Sequence, residues 1–240
     1  MPSPEVPQQF AWTVLQSGQT PLQPDGTARN EIEHRCSAVL VWPAGQVPQT
    51  DNTLLIDPCF TENGYAQALA ALDGLGATPE DIGMMFVTHL HPDHMLRFPA
   101  HVGVPRFRPF RPVARPQVFT AIYSVAVPGH HPAQEALYFQ DDAGRQVWVT
   151  GDAVLGRAWL EAWAYFWPNG YAPLQIVETW RSVARVLSLA DVIIPGHDDP
   201  LPVTADLLRH LLETFPQAEF ASRCPDVPRR LQTRLEQLGG

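Results

Sequence analysis

The 240-residue sequence contains no lysine, and all 16 of its basic residues are arginine. This absence excludes enzymes that form a Schiff base on a lysine side chain. The 25 acidic residues outnumber the 16 basic ones, so the formal net charge is −9. An acidic surface of this kind does not attract nucleic acids or anionic membranes. We therefore expect a small-molecule substrate and no membrane partner. Nucleic acid is a less favoured partner that the charge alone does not exclude, and a homodimer is a further possibility.

Cysteine is scarce, and long apolar runs are absent. The three cysteines, Cys36, Cys59 and Cys224, have the spacing of neither a disulfide framework nor a zinc finger. No apolar run approaches the roughly 18 residues that span a bilayer. The polar, proline-rich start of the sequence lacks the apolar centre of a signal peptide. Together these absences predict a cytoplasmic protein.

The apolar pattern predicts short strands followed by helices, with enough hydrophobic residues (45%) for a sizeable core. We expect residues 1–9 to be a flexible tail and residues 10–240 to be a single domain that ends in helices. β-branched runs bounded by Pro, Gly and Asn predict strands, and apolar residues at helical spacing predict helices. The strands are expected at Phe10–Gln16, 36–42, 53–56, 82–87, 118–127, 136–140, 146–150 and 192–194, and the helices at 64–75, 175–189, 204–215 and 228–238.

The most informative segment is THLHPDH, residues 88–94, which directly follows a predicted buried strand. It places three histidines beside one aspartate, and neutral imidazole and carboxylate are ligands that zinc, iron and manganese accept. Four such groups buried together are costly unless a cation joins them. His89 and His91 point the same way on an extended backbone, whereas a proline turns the chain before Asp93 and His94. The segment therefore predicts two metal half-sites on one loop.

Three more candidate ligands follow predicted strands farther along the chain. They are His130 after Pro-Gly, Asp152 after Thr-Gly, and His197 after Pro-Gly. With the first segment they form the ordered series His-x-His-x-Asp-His, His, Asp, His. In this series the sequence resembles the metallo-β-lactamase superfamily of dinuclear metallohydrolases, over about residues 10–197. The resemblance implies an α+β fold, specifically a four-layer αββα sandwich.

The resemblance also implies a role for each candidate residue. One divalent metal ion would be held by His89, His91 and His130, the other by Asp93, His94 and His197, and Asp152 would bridge the two. The ions would be zinc in the first instance, with manganese or iron as alternatives, and a bridging hydroxide with a pKa of roughly 7 would be the nucleophile. Asp93 would also act in catalysis, by orienting that hydroxide or by passing a proton to the leaving group. Asp57, at the end of a predicted strand, would orient a ligand.

The other histidines leave alternatives open. His131 stands where the superfamily usually has threonine or serine, so it could replace His130 as the ligand. We favour His130 because it directly follows Pro-Gly. We interpret His34, His101 and His210 as surface or core residues, with His101 the first candidate for an exception because its loop is expected near the site.

Two further segments bear on the substrate. Residues 97–116 are expected to form an irregular loop that combines arginine with phenylalanine. Its arginines are Arg97, Arg106, Arg108, Arg111 and Arg115. Guanidinium groups near a metal pair suit phosphate or carboxylate substrates, and with aromatics they suit single-stranded nucleic acid. The plainer interpretation is a solvated loop. Residues 159–171 are aromatic and predict either an apolar substrate wall or ordinary core. Lactonases of the superfamily have a tyrosine soon after the bridging aspartate, a place that Tyr165 or Tyr171 would have to take here.

The predicted function is metal-dependent hydrolysis of a small ester, lactone or thioester by a metal-bridging hydroxide. A phosphodiesterase or ribonuclease of the same fold is the first alternative, and it would need Arg108 and Arg111. An alternative of another class is an iron-dependent oxidoreductase such as a sulfur dioxygenase. Such relatives use only the first metal's residues and the aspartate, whereas this chain keeps Asp93, His94 and His197 as well.

Overall fold

Two five-stranded sheets form the centre of the structure, a computed structural model that describes residues 8–110, 119 and 121–239. The strands are β1 (Phe10–Gln16), β2 (Ala38–Pro43), β3 (Leu54–Ile56), β4 (Met84–Phe86), β5 (Arg108–Pro109), β6 (Tyr123–Ala126), β7 (Glu135–Gln140), β8 (Gln146–Gly151), β9 (Val192–Pro195) and β10 (Leu201–Pro202). The helices are α1 (Glu62–Gly74), α2 (Arg157–Glu161), α3 (Pro173–Leu187), α4 (Ala205–Thr214) and α5 (Asp226–Gln237). Residues 1–7 of the predicted tail, and Arg111 and Arg115, lie outside the described residues.

Each sheet mixes parallel and antiparallel pairs. The first has the order β1-β2-β3-β4-β5, and its parallel pairs are β3 with β4 and β4 with β5. The second has the order β10-β9-β8-β7-β6, and its parallel pair is β8 with β9. The two parallel pairs β3–β4 and β8–β9 matter most for the site, because loops that leave neighbouring parallel strands begin at the same edge of a sheet.

Both faces of each sheet are covered, which explains the continuous apolar runs in the strands. In β2 every residue is buried. Val39 and Val41 pack between the sheets, while Leu40 packs on the other face against Leu72 of α1. Because successive side chains of a strand point to opposite faces, a strand buried on both sides needs apolar residues throughout.

The outer layers are helical. Helix α1 covers the first sheet, and α3, α4 and α5 cover the second, where Trp180, Leu211 and Leu231 share a core with Trp148 of β8. The order of layers is therefore helix, sheet, sheet, helix, and the predicted α+β fold of αββα type is confirmed. Among the described helices, none combines the length and hydrophobicity that crossing a membrane requires.

The predicted elements are present with shifts of a few residues at their ends, except that residues 118 and 120 of the predicted strand 118–127 lie outside the described residues. The missed elements are short. Helix α1 begins earlier than predicted because Thr61 caps it, its Oγ1 accepting a hydrogen bond from Gly64 N–H at 3.1 Å. The sequence did not predict α2, β10 or β5, and β5 corrects the expectation of a wholly irregular loop after Arg97. A strand of two residues or a helix of five is too short to show a periodicity.

Candidate metal centre

The seven candidate ligands converge on one edge of the sandwich, where loops leave the strands. The segment 88–94 follows β4, His130 follows β6, Asp152 follows β8 and His197 follows β9. Three sets of ligand atoms each lie within 4.8 Å of one another, and the sets are His89, His91, His130 and Asp152; His94, Asp152 and His197; and His34, Asp93 and His197. The structure thus brings together all seven residues that the sequence singled out and adds one that it did not, His34.

Asp152 lies between the first two sets. Its Oδ2 is 3.3 Å from His130 Nε2, while its Oδ1 is 3.0 Å from His94 Nε2 and 3.2 Å from His197 Nε2. The carboxylate is almost completely buried (6% exposed). Burial by itself would raise the pKa of Asp152, but His197, His94 and His130 hold it well below its ordinary value. The aspartate is therefore a buried anion with one oxygen turned to each set of imidazoles.

Hydrogen bonds on the far side of the rings decide which nitrogen each imidazole presents. His197 Nδ1 is 2.9 Å from the Arg35 carbonyl oxygen, and His94 Nδ1 is 2.8 Å from Asp57 Oδ2. Both partners only accept hydrogen bonds, so each Nδ1 carries a proton. Burial would lower the pKa of both rings, but Asp152 raises it above the ordinary value, so Nε2 presents its lone pair to the centre once a cation displaces the second proton. This tautomer is the one that a metal ligand needs.

Asp57 organises the loop that carries the first histidines. Its Oδ1 accepts from Thr88 N–H at 2.7 Å, and its Oδ2 accepts from Thr88 Oγ1–H at 2.8 Å and from His94. Thr88 Oγ1 in turn lies 3.1 Å from His89 Nδ1 and is free to accept its proton. Asp57 has a φ of 52°, in the left-handed region that aspartate tolerates better than most residues. As the sequence predicted, Asp57 orients a candidate ligand, and through Thr88 it reaches a second one.

Close backbone packing explains the glycine before His197. A Cβ atom on Gly196 would lie 2.0 Å from Asp152 Oδ1, a distance that no side chain tolerates. Glycine therefore lets the β9 loop approach the carboxylate. Gly129, before His130, has a φ of 129° and packs against Thr179 just as closely, with a Cβ contact of 2.3 Å. The Pro-Gly-His pattern is a backbone requirement as well as a ligand signal.

The ligand atoms fit metal ions better than they fit one another. His94 Nε2 and Asp152 Oδ1 are buried and, although they lie 3.0 Å apart, neither makes a hydrogen bond of good geometry among the described residues. His91 Nδ1 faces both His89 Nε2, at 3.0 Å, and His130 Nε2, at 2.8 Å, although a single proton serves only one of these contacts. Orphaned buried polar atoms and converging lone pairs are what a divalent cation satisfies, and this set of nitrogens and oxygens suits zinc, manganese or iron.

The charge states of the first set also suit a metal. Burial lowers the pKa of His89 to about 2 and that of His130 to about 4. Both rings are therefore neutral at pH 7 and keep a lone pair free. Metal ligands must be in this form, since a protonated imidazole does not coordinate.

Of the remaining histidines discussed from the sequence, all of them among the described residues, only His34 belongs to a candidate ligand set. His131 lies outside the ligand sets, and its Nδ1 accepts a hydrogen bond from Ala133 N–H at 3.2 Å, so the geometry favours His130. His101 is exposed and contacts Glu62 at 3.5 Å, so it is not the exception that the sequence suggested. The exception is His34, whose Nε2 is 2.8 Å from Asp93 Oδ2. No sequence motif marks His34, because its contact joins residues 59 positions apart.

A cleft of about 380 Å³ opens beside the candidate ligands. Besides histidines and aspartates, its walls include Leu155, Phe166, Asn169 and Arg97. Arg97 is the one described arginine of the predicted loop that lines it. Arg108 instead reaches the Thr50 carbonyl at 3.4 Å. Most of the described arginine loop therefore does not face the candidate centre.

The aromatic segment after Asp152 is divided between core and site. Trp159 and Trp163 are buried, Trp163 in the core of the second sheet, while Phe166 lines the cleft. Tyr165 donates a hydrogen bond to Glu219 at 2.7 Å. Tyr171 packs behind His130, with its hydroxyl 2.7 Å from His130 Nδ1. Of the two tyrosines considered from the sequence, Tyr171 is therefore the one that contacts a candidate ligand.

The fold and site define a two-sheet sandwich with a candidate histidine–aspartate metal site at one edge, and comparison with known proteins agrees. A sequence model of the metallo-beta-lactamase superfamily matches residues 33–113. No curated protein matches the chain significantly. Similar solved structures include a candidate metallo-β-lactamase from Thermotoga maritima, with 17% identity over 81% of this chain and 99% of that chain and a TM-score of 0.53.

Two further structures show the same likeness. A probable metal-dependent hydrolase from Staphylococcus aureus has 16% identity over 80% of this chain and 90% of that chain, with a TM-score of 0.54. A metallo-β-lactamase family protein from Thermus thermophilus has 17% identity over 84% of this chain and 77% of that chain, with a TM-score of 0.50. At these identities the likeness concerns the fold. The matches confirm the resemblance to the metallo-β-lactamase superfamily without assigning a subfamily.

Proposed function

We propose that the protein is a dinuclear metal-dependent hydrolase of a small ester, lactone or thioester. One observation supports this above all: the buried carboxylate of Asp152 turns one oxygen towards His130 and the other towards His94 and His197. A single carboxylate between two sets of imidazole nitrogens would suit two divalent ions.

In this proposal His89, His91 and His130 would hold one ion, Asp93, His94 and His197 would hold the other, and Asp152 would serve both. The ions, zinc in the first instance, would supply a water molecule of lowered pKa and polarise the substrate oxygen. The chain's own groups then orient the reaction. Asp93 lies at the cleft with 28% of its side chain exposed, so a leaving group in the cleft comes within reach of its carboxylate. We propose Asp93 as the residue that moves a proton there.

The residues that line the cleft are consistent with a small ester, lactone or thioester as the substrate. Leu155 and Phe166 offer apolar contact, and Asn169 offers a hydrogen-bonding amide. Arg97 adds one guanidinium, which suits a carboxylate or phosphate group and keeps a phosphodiesterase as the second candidate. A ribonuclease is less well supported, because Arg108 is directed to Thr50. A sulfur dioxygenase is also less well supported, because the candidate ligands Asp93, His94 and His197 all lie at the site.

The test combines metal analysis with activity on one preparation. We expect about two zinc or manganese ions per chain by elemental analysis, and turnover of an ester, lactone or thioester that a chelator abolishes and added metal restores. Preferred turnover of a phosphodiester would select the second candidate. One iron per chain, with oxygen uptake and no hydrolysis, would contradict the proposal. The cytoplasmic location and the homodimer stay predictions from the sequence.

A further inference from the structure

His34 belongs to the loop between β1 and β2, far in sequence from every predicted ligand. Its backbone neighbours are held firmly. The Arg35 carbonyl accepts hydrogen bonds from Gln19 N–H, at 2.8 Å, and from His197 Nδ1–H, at 2.9 Å. The Glu33 carboxylate pairs with Arg35 at 3.2 Å and also accepts a hydrogen bond from Thr61 at 2.9 Å. His34 is therefore presented from an anchored segment.

The side chain of His34 makes two contacts with the second set of candidate ligands. Its Nε2 is 2.8 Å from Asp93 Oδ2, and its ring stacks on His197 with centroids 4.6 Å apart and planes 27° from parallel. The same oxygen of Asp93 faces His197 Nε2 at 3.5 Å. His34 thus touches both residues that close this side of the centre.

Asp93 needs such a partner. It lies on a turn after a proline, and 28% of its side chain is exposed at the cleft. All the other candidate ligands except His91 are almost fully buried. A carboxylate in an open cleft samples several rotamers unless a neighbour holds it. Among the described residues, His34 is the one that donates a hydrogen bond to Asp93.

We infer that His34 is a positioning residue for Asp93, holding its carboxylate beside His197 so that the second ion is bound tightly. The inference rests on the proposed function, because it takes Asp93 and His197 to hold a metal ion. Partners that orient metal ligands contribute about 10- to 100-fold to metal affinity. The expected effect falls on one ion of the two, because His34 contacts neither His89 nor His91.

The test is zinc titration of metal-free protein in competition with a chromophoric chelator, on wild type, His34→Ala, His34→Gln and His101→Ala. We expect one of the two zinc affinities to fall by about 10- to 100-fold in His34→Ala and the other to stay unchanged. His34→Gln should restore most of the loss, because its amide can donate to Asp93. His101→Ala removes an exposed histidine that pairs with Glu62 and should bind zinc as the wild type does.

Cobalt(II) absorption separates positioning from direct ligation. If His34 only positions Asp93, His34→Gln keeps the wild-type cobalt spectrum. If the spectrum changes equally in His34→Gln and His34→Ala, His34 is itself a ligand and the inference is overturned. Unchanged zinc affinity in His34→Ala overturns it as well. A wild-type protein that binds fewer than two ions refutes the proposed function, and the inference with it. Because 37% of the His34 side chain is exposed, neither variant should disturb the core.

Discussion

Replacing Asp57 with asparagine should weaken the binding of both proposed metal ions, although Asp57 itself lies in neither donor set. The Thr88 backbone N–H, 2.7 Å from Asp57 Oδ1, still needs an acceptor. The asparagine oxygen therefore takes that place, and the amide NH₂ takes the place of Oδ2. An NH₂ group only donates, so His94 has to turn a lone pair on Nδ1 towards it. The proton of His94 then moves to Nε2, where the ion needs the lone pair.

The effect spreads to the other ion through Thr88. In the wild type its hydroxyl donates to Asp57 and is free to accept from His89 Nδ1–H at 3.1 Å. In Asp57→Asn the hydroxyl accepts from the amide instead and no longer favours the required tautomer of His89. Loss of such an orienting partner costs about 10- to 100-fold in metal affinity, which is about 1.4–2.7 kcal/mol per ion. Asparagine also tolerates the left-handed backbone that Asp57 adopts, so the change tests hydrogen bonding rather than strain.

Competition with a chromophoric chelator measures both affinities, and Thr88→Val is the matched control. Valine keeps the backbone N–H and the shape of threonine but removes the hydroxyl, so only the ion bound by His89 should weaken. Thermal melting of the metal-free proteins checks that the variants fold. Wild-type affinity for both ions in Asp57→Asn would refute the tautomer argument. If Thr88→Val lowered the affinity for both ions equally, Asp57 would not orient His94 independently of Thr88.

Two further predictions concern the substrate and the stability of the fold. Arg97→Gln should raise KM for esters that carry a carboxylate by about tenfold and leave KM for neutral esters unchanged, because Arg97 lines the cleft and can pair with the carboxylate. Arg108→Gln, outside the cleft, should change neither KM. A raised KM for neutral esters in Arg97→Gln would contradict the role of Arg97. Asp141→Asn should destabilise the protein by about 1.5–3 kcal/mol at pH 7, measured by urea unfolding, because buried Asp141 accepts charge-assisted bonds from Arg145 at 2.7 and 2.8 Å. Burial would raise the pKa of Asp141, but the hydrogen bonds from Arg145 lower it below 3.8. The wild type should therefore be more stable than Asp141→Asn above pH 3.8, and this difference in the free energy of unfolding should disappear as the pH falls through the lowered pKa. A difference that persisted at the lowest pH would contradict this.

Much of the fold was predictable because its signals are local. The apolar run of β2 and the helical spacing of α3 each reflect burial that one segment experiences along its whole length. Elements of two residues, such as β5 and β10, were not predictable, because they exist only through pairing with β4 and β9. Pairing partners lie far away in sequence, and a pair of residues carries no periodicity.

The candidate site shows the same division. The spacing of His89, His91 and His94 on one loop is a local property, because metal ligands on one loop must follow the geometry of that backbone. Glycine before His130 and His197 is local in sequence too, although its cause, contact with Thr179 and with Asp152, lies elsewhere in the fold.

The sequence by itself, through its motifs and the resemblance that they carry, predicted the sandwich, the seven candidate ligands and an orienting role for Asp57. Only the tertiary structure decided that His34 contacts Asp93, that Tyr171 contacts His130 and that Arg108 contacts Thr50 instead of lining the cleft. The reason is physical. A local motif follows from the backbone of one segment, whereas these hydrogen bonds depend on how separate loops pack against the two sheets, which no single segment encodes.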